Sequence, residues 1–300
     1  MSRVTNKQTS EGGVLYVVAT PIGNSDDISA RAIRTLKDAD LIACEDTRRT
    51  GQMLANHQIA TPTISYFEHN EERRVPEMIE RLGAGAQIAL VTDAGTPCVS
   101  DPGFRLVRAA LDAGIRVVAV PGASAAIAAL SVTGLPTDRF TFEGFLPTRD
   151  GSRRRALDAL RAEPRTMVFY EAARRLADTL AAMIAAFGDS RSAAVVREIS
   201  KTYEETVRGT LSDLERRFRA TPALGEITIV VAGVASKADA ASDGAAPITV
   251  EIPIAIEALR EAGLSLKQAS AVVAKLSGRG RREVYQDVLK SREDDDSTDD

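Results

Sequence analysis

The chain has 300 residues, 44% of them hydrophobic and 27% charged, enough apolar content for a substantial core in roughly two domains. Aromatics make up only 4%, with no Trp, which argues against a nucleic-acid platform of several stacked rings. The net charge of −4 is set by the last eight residues, EDDDSTDD, which hold six acids and no base; the remainder carries +2, so a polyanionic partner is neither demanded nor excluded.

Two cysteines, Cys44 and Cys98, are too few for a disulfide framework or a cysteine zinc site. Two histidines, His57 and His69, argue against a histidine-built centre, so no metal is expected. No apolar run approaches the roughly 18 residues of a membrane span. The polar opening MSRVTNKQTSEGG lacks the apolar core of a signal peptide, and a cytoplasmic protein without membrane contact is expected.

After a polar segment to residue 12, expected to be disordered, the first apolar run is Val14–Thr20. Runs at Ala39–Cys44, Gln87–Asp93 and Ile115–Val120 follow at α/β spacing, with helical patterns at Asp27–Lys37, Thr47–His57, Glu71–Leu82, Pro102–Ala113 and Ser124–Ser131 between and after them. Short continuous apolar strands alternating with amphipathic helices predict βαβ units and a largely parallel sheet covered on both faces, over residues 13–134. Past Gly134-Leu135-Pro136 the rhythm changes. FTFEGFL, RTMVFYE, SAAVVREI and GEITIVVAG read as strands, with helices at Arg153–Ala162, Arg174–Phe187 and Leu211–Arg219, predicting a second α/β domain with a mixed sheet over 135–234. A small, polar stretch at 235–248 reads as a linker. Helical periodicity returns at 249–290, with a turn at Gly278–Gly280, and residues 291–300 form an acidic tail expected to be disordered.

Ligands in open α/β sheets bind at the carboxyl ends of parallel strands. Three such ends run into turn-rich loops: Ala19-Thr20-Pro21-Ile22-Gly23-Asn24, Asp93-Ala94-Gly95-Thr96-Pro97 with Ser100-Asp101-Pro102-Gly103, and Pro121-Gly122-Ala123-Ser124-Ala125. Any one of these is an ordinary strand-to-helix turn. Three on one sheet edge converge on a single crevice, where glycine lets backbone approach a ligand and proline stiffens the turn. None is a Walker loop or a Gly-x-Gly-x-x-Gly fingerprint.

The second strand ends in Glu45-Asp46-Thr47-Arg48-Arg49, which reads either as a helix cap or as carboxylates and an arginine at the crevice edge. Tyr66-Phe67-Glu68-His69-Asn70-Glu71 is a second polar cluster, and its histidine has no evident nucleophile, which disfavours a Ser-His-Asp hydrolase. Arg149, Arg153, Arg154, Arg155, Arg161 and Arg165 fall in one stretch, and Arg279, Arg281 and Arg282 in another. Each is either a solvated helix face or a source of phosphate contacts.

ATPIGN, EDTRRT, HNE, LVTDAGTPCVSDPG, VPGASA, GLPTDRF with FEGFLP, FYE, REISKTYEE and GEITIVVAG occur in that order across Val14–Val234. In these motifs the sequence resembles the tetrapyrrole-methylase-like class III methyltransferases and, within them, the ribosomal RNA small subunit methyltransferase I family. The helical end, with LKQASAVVAKLSG and RREVYQ, is similar to that family's accessory region. The resemblance implies two α/β domains of the tetrapyrrole methylase type with a cofactor cleft between them, and a small C-terminal helical unit. It also implies S-adenosylmethionine as donor, 2′-O-methylation of a decoding-region cytidine in 16S rRNA, and a homodimer; the modest basic charge fits recognition within the assembled 30S subunit.

By motif match Pro21, Gly23, Asp93, Ala94, Gly95, Thr96, Pro97, Ser100, Asp101, Pro121, Gly122, Ser124 and Ala125 would line the cofactor site from the first domain. Phe145, Leu146 and the strand GEITIVV would close it from the second. Two positions depart from the family pattern. Ala172-Ala173-Arg174 stands where Pro-His-Arg is usual, which removes a histidine and leaves Arg174 beside Arg149, Arg153, Arg154 and Arg155 as candidate RNA contacts. ISK replaces Leu-Thr-Lys and keeps Ser200 and Lys201.

Methyl transfer from a sulfonium to a 2′-oxygen needs alignment and the removal of one proton. Glu45, Asp46 and Lys201 are the candidate proton acceptors, with Arg48 orienting ribose or phosphate, and deprotonation without a protein base stays open. Two other readings remain: a same-fold methyltransferase for a tetrapyrrole or other small molecule, and a non-catalytic RNA-binding assembly factor.

Overall fold

The computed structural model describes residues 12–234, 252–261, 263–277 and 284. The first half runs β1 (Val14–Val18), α1 (Ala30–Asp38), β2 (Leu41–Cys44), α2 (Thr47–Asn56), β3 (Thr63–Ser65), α3 (Glu71–Gly83), β4 (Gln87–Leu90), α4 (Phe104–Asp112), β5 (Arg116–Val120) and α5 (Ala125–Thr133). Its five strands lie in the order β3-β2-β4-β1-β5, all parallel. The sheet is covered on both faces. Leu36 of α1 and Leu54 of α2 pack with Val18 and Ile42 on one side, and Met78 and Leu82 of α3 with Leu106 of α4 and Leu15 on the other. Central strands buried on both faces explain the unbroken apolar runs of β1, β2 and β4.

The second half runs β6 (Phe140–Phe145), α6 (Asp150–Ala159), β7 (Thr166–Ala172), α7 (Leu176–Phe187), β8 (Ser192–Arg197), β9 (Glu205–Thr210), α8 (Leu211–Ala220) and β10 (Glu226–Val231). Its sheet order is β6-β7-β10-β8-β9, with β6 and β7 parallel and every other pair antiparallel. Helices α6, α7 and α8 fill one face with Leu157, Leu180, Met183, Leu214 and Phe218. The other face is covered by α5, whose Ala126, Ala129 and Leu130 pack on Val168, Val196 and Val230. The chain is thus a pair of α/β sheets with a helical unit after them. The second compact unit begins after Val234; it contains α9 (Ile252–Glu261) and α10 (Leu266–Ser277), held by Ile256, Ala269, Val273, Ala274 and Val284. The expected N-terminal disorder, linker, Gly278–Gly280 turn and acidic tail lie outside the described residues.

Several boundaries differ from the sequence reading for local reasons. α1 starts at Ala30 because the Ser29 hydroxyl accepts from the Ala32 amide, while Ser25–Asp27 forms a separate 3-10 turn capped by Asn24. α4 starts at Phe104, not Pro102, because Gly103 has φ +130. β3 and β9 are strands that the apolar-run pattern does not announce.

Candidate active site

The loops after β1, β4 and β5 meet at one edge of the parallel sheet. Thr20 and Gly95 exchange backbone hydrogen bonds of 2.9 and 3.1 Å, and the Thr96 hydroxyl donates to the Ala123 carbonyl at 3.1 Å. Facing them across a cavity of about 790 Å³ are the ends of β6 and β7 and the start of β10. Its walls include Ala94, Gly95, Thr96, Ser100, Asp101, Ser124 and Ala125 from the first half, and Phe145, Arg174 and Gly225–Thr228 from the second. That volume suits a drug-sized ligand or nucleoside.

The other expected cofactor residues do not line the cavity. Pro97 is buried, and Leu146 sits in the core of the second half rather than in the cleft. Gly122 lies so close to Ala19 that an added Cβ would stand 3.0 Å from the alanine's own. Pro121 is exposed and Pro21 half-buried, and neither lines the cavity. Gly23 lies beneath Lys201, whose Cγ would be 2.4 Å from an added Cβ. Asp93 accepts from the Asp46 amide and from Arg49 Nη1, each at 3.1 Å, and so ties α2 to the β4 loop.

The candidate proton acceptors stand apart from the wall as well. Asp46 caps α2 by accepting from the Arg48 amide at 2.8 Å and pairs with the Arg48 guanidinium; these contacts hold its carboxyl down at about 2. Lys201 Nζ lies 3.0 Å from Glu198 and 3.1 Å from Glu226. Burial works to lower its pKa, but the hydrogen bonds and charges of those two partners outweigh burial and keep the ammonium protonated. Glu45 accepts from the Thr92 hydroxyl at 3.1 Å. Asp101 does line the cavity; burial, with the charges of Glu45 and Asp93 added, pushes its carboxyl up to about 6 against an opposing hydrogen bond from Thr92.

Tyr170, in the strand RTMVFYE, carries no loop signal that would mark it for the site. It lines the cavity, packs edge-on to Phe142 and Phe145 at 4.9 and 5.6 Å, and its hydroxyl accepts from the Ala126 amide at 3.1 Å, joining β7 to α5. Leu224, Val99 and Phe145 leave apolar surface open at the cavity, at 77, 38 and 58% exposure. Among the described residues no group of three or more His, Cys, Asp or Glu side chains is arranged to hold a metal ion, and no helix is long and apolar enough to cross a membrane.

The chain is 45% identical over 280 residues to the ribosomal RNA small subunit methyltransferase I of Pseudomonas aeruginosa, covering 93% of this chain and 97% of that protein. It is 44% identical over 281 residues to the protein of that name from Mesorhizobium japonicum, covering 93% and 92%. The chain belongs to the ribosomal RNA small subunit methyltransferase I family. Residues 14–215 match the broader family of tetrapyrrole (corrin/porphyrin) methylases, and residues 254–292 match the RsmI C-terminal HTH domain. The fold is that of uroporphyrin-III C-methyltransferase from Thermus thermophilus, solved with S-adenosylhomocysteine (TM-score 0.52, 21% identity, 74% of this chain and 98% of that one). Diphthine synthase shares it, with a TM-score of 0.53 at 16% identity over 73% of this chain and 90% of that one.

Proposed function

We propose that this member of the family transfers a methyl group from S-adenosylmethionine to the ribose 2′-hydroxyl of a decoding-region cytidine in 16S rRNA, acting as a homodimer on the 30S subunit. The observation that carries the reading is the convergence of Ala94–Thr96, Ser100–Asp101 and Ser124–Ala125 on one cleft, in a chain whose relatives across nearly its whole length are named for small-subunit rRNA methylation. The cleft fits the donor: loop backbone at Gly95, with φ +90, offers close approach without a side chain, and the apolar surface of Ile22, Tyr170 and Leu224 suits a nucleoside ring. When bound, the donor supplies an electrophilic methyl on a good leaving group.

The protein's own work is alignment and proton removal. Holding donor and acceptor in near-attack geometry contributes several kcal/mol. The 2′-hydroxyl is a weak acid; of the carboxylates lining the cleft, Glu171 is paired with Arg175 and Glu226 with Lys201, and Asp46 is paired with Arg48, which favours Asp101 as the proton acceptor. Arg174 at the cavity and the exposed Arg149, Arg154 and Arg155 after β6 supply phosphate contacts. The Arg153 side chain, 11% exposed and paired to Asp150 at 2.7 Å, holds α6 rather than RNA.

The test is transfer of labelled methyl from S-adenosylmethionine to 30S subunits lacking the modification, with the nucleoside identified by mass spectrometry. A 2′-O-methylcytidine from the decoding region is expected. Transfer to a tetrapyrrole instead would replace the acceptor and leave the donor site standing. Equal rates on protein-free 16S rRNA and on 30S subunits would remove the particle from the reading.

A further inference from the structure

The cleft loop after β4 has an unusual backbone. Cys98 and Ser100 have φ of +71 and +64, in the left-handed region that residues other than glycine rarely adopt, and Gly103 follows at +130. Such conformations are strained and persist only where their surroundings over-determine them. Within the loop the Cys98 amide donates to the Pro102 carbonyl at 3.3 Å, a long bond. The firm restraint comes from below. The Gly103 amide donates to Glu71 Oε1 at 2.9 Å, and this carboxylate is 7% exposed.

Glu71 is the first residue of α3 and belongs to the polar cluster before that helix. Asn70 sets the turn that delivers it: its Oδ1 accepts from the Phe67 amide at 2.9 Å, and its Nδ2 donates to the Ser65 carbonyl at 3.1 Å. The second oxygen of Glu71 lies 3.6 Å from Arg105 Nε on α4, and the buried Tyr66 ring packs nearby. Gly103 is the N-cap residue of α4 and brings no side-chain oxygen to its own helix end, so the acceptor there is imported from α3. A buried, charge-assisted bond of this kind is about twice as strong as a neutral one. An added Cβ on Gly103 would stand 2.7 Å from Leu90 Cδ2 and 2.9 Å from Cys98 Sγ, so the loop has no slack on its inner side.

We propose that Glu71 is a positioning residue: by holding the Gly103 amide it fixes the strained loop that presents Ser100 and Asp101 to the cleft. This rests on reading the cleft as the donor's seat. It also gives the polar cluster ahead of α3 a function that needs no catalytic histidine.

The test compares Glu71→Ala, Glu71→Asp and Glu71→Gln with the parent protein, in calorimetric binding of S-adenosylhomocysteine and in amide hydrogen exchange of residues 98–104. The aspartate keeps the charge but falls one methylene short of Gly103, while the glutamine keeps an acceptor at the same reach. In the alanine and aspartate variants the loop exchanges faster, affinity falls about tenfold, the cost of one lost charge-assisted bond, and the KM for 30S subunits stays near the parent's. The glutamine restores both within about threefold. If the alanine does not fold, the aspartate decides. Parent-like exchange and affinity in a folded aspartate or alanine variant overturn the proposal. If the parent itself binds no S-adenosylhomocysteine, the donor-site reading fails, and the exchange rates still decide what Glu71 holds.

Discussion

Burial beside Glu45 and Asp93 lifts the Asp101 carboxyl from 3.8 to about 6, which has two consequences at the residue scale. The native state binds a proton that the unfolded chain releases, so stability present at acid pH is lost as pH rises through about 4 to 6 and stays lost above. Asp101→Asn therefore stabilises the protein by roughly 1–2 kcal/mol near pH 8 and by little near pH 4, allowing for partial solvent screening. Thermal unfolding at both pH values checks this. The second consequence is kinetic. If Asp101 accepts the 2′-hydroxyl proton, the parent's kcat rises with pH through about 6. The asparagine variant loses that limb and about 10²–10⁴ in kcat, while it still binds S-adenosylhomocysteine. A variant with parent-like kcat would return the base to Glu45 or to no protein group.

At the scale of elements, what the sequence disclosed follows from how local each signal is. β1, β2 and β4 announce themselves because burial on both faces makes them apolar runs, and β10, EITIVV, by its β-branched residues. β3 has three residues and β9, ETVRGT, is a polar edge strand; both exist through pairing with β2 and β8, partners the local pattern does not name. Helix α5, AAIAALSVT, is apolar all round, so periodicity could not say that its Ala126 face belongs to the second sheet. The same division holds at the site. Gly95, Thr96, Ser100 and Ser124 were legible because loop chemistry is local. Tyr170, Leu224 and Ile199 come to the cavity from far along the chain with no motif of their own. The start of α1 is set locally by the Ser29 cap, although the helical pattern in the sequence runs back to Asp27, where the chain instead forms a 3-10 turn. Ser29→Ala should lower unfolding free energy by about 1 kcal/mol in urea titration without changing donor affinity.

For the whole molecule, charge is the property that matters most to an RNA reading, and its total conceals its placement. Many arginines are spent within the protein: Arg197 and Arg217 on Glu205, Arg165 on Glu163, Arg219 on Glu215 and Arg208 on the end of α5. Arg149, Arg154 and Arg174 are exposed and make no ion pair among the described residues, and Arg155 bonds only to Ser152 and Gly151 near its own helix start. The two halves are also joined by the Ser200 hydroxyl, which donates to Asp27, and by Lys201, which lies over Gly23. Phosphate binding is therefore expected to depend on a few unpaired arginines rather than on a broad basic field. Each phosphate contact contributes about one unit to the slope of log affinity against log salt. Replacing Arg149, Arg154 and Arg155 together by alanine should lower affinity for 30S subunits, flatten that slope by about two to three units, and leave S-adenosylhomocysteine binding unchanged. Filter binding across a salt series, with calorimetry for the donor, measures both. An unchanged slope would move the RNA contacts off α6, to Arg174 and the C-terminal helices.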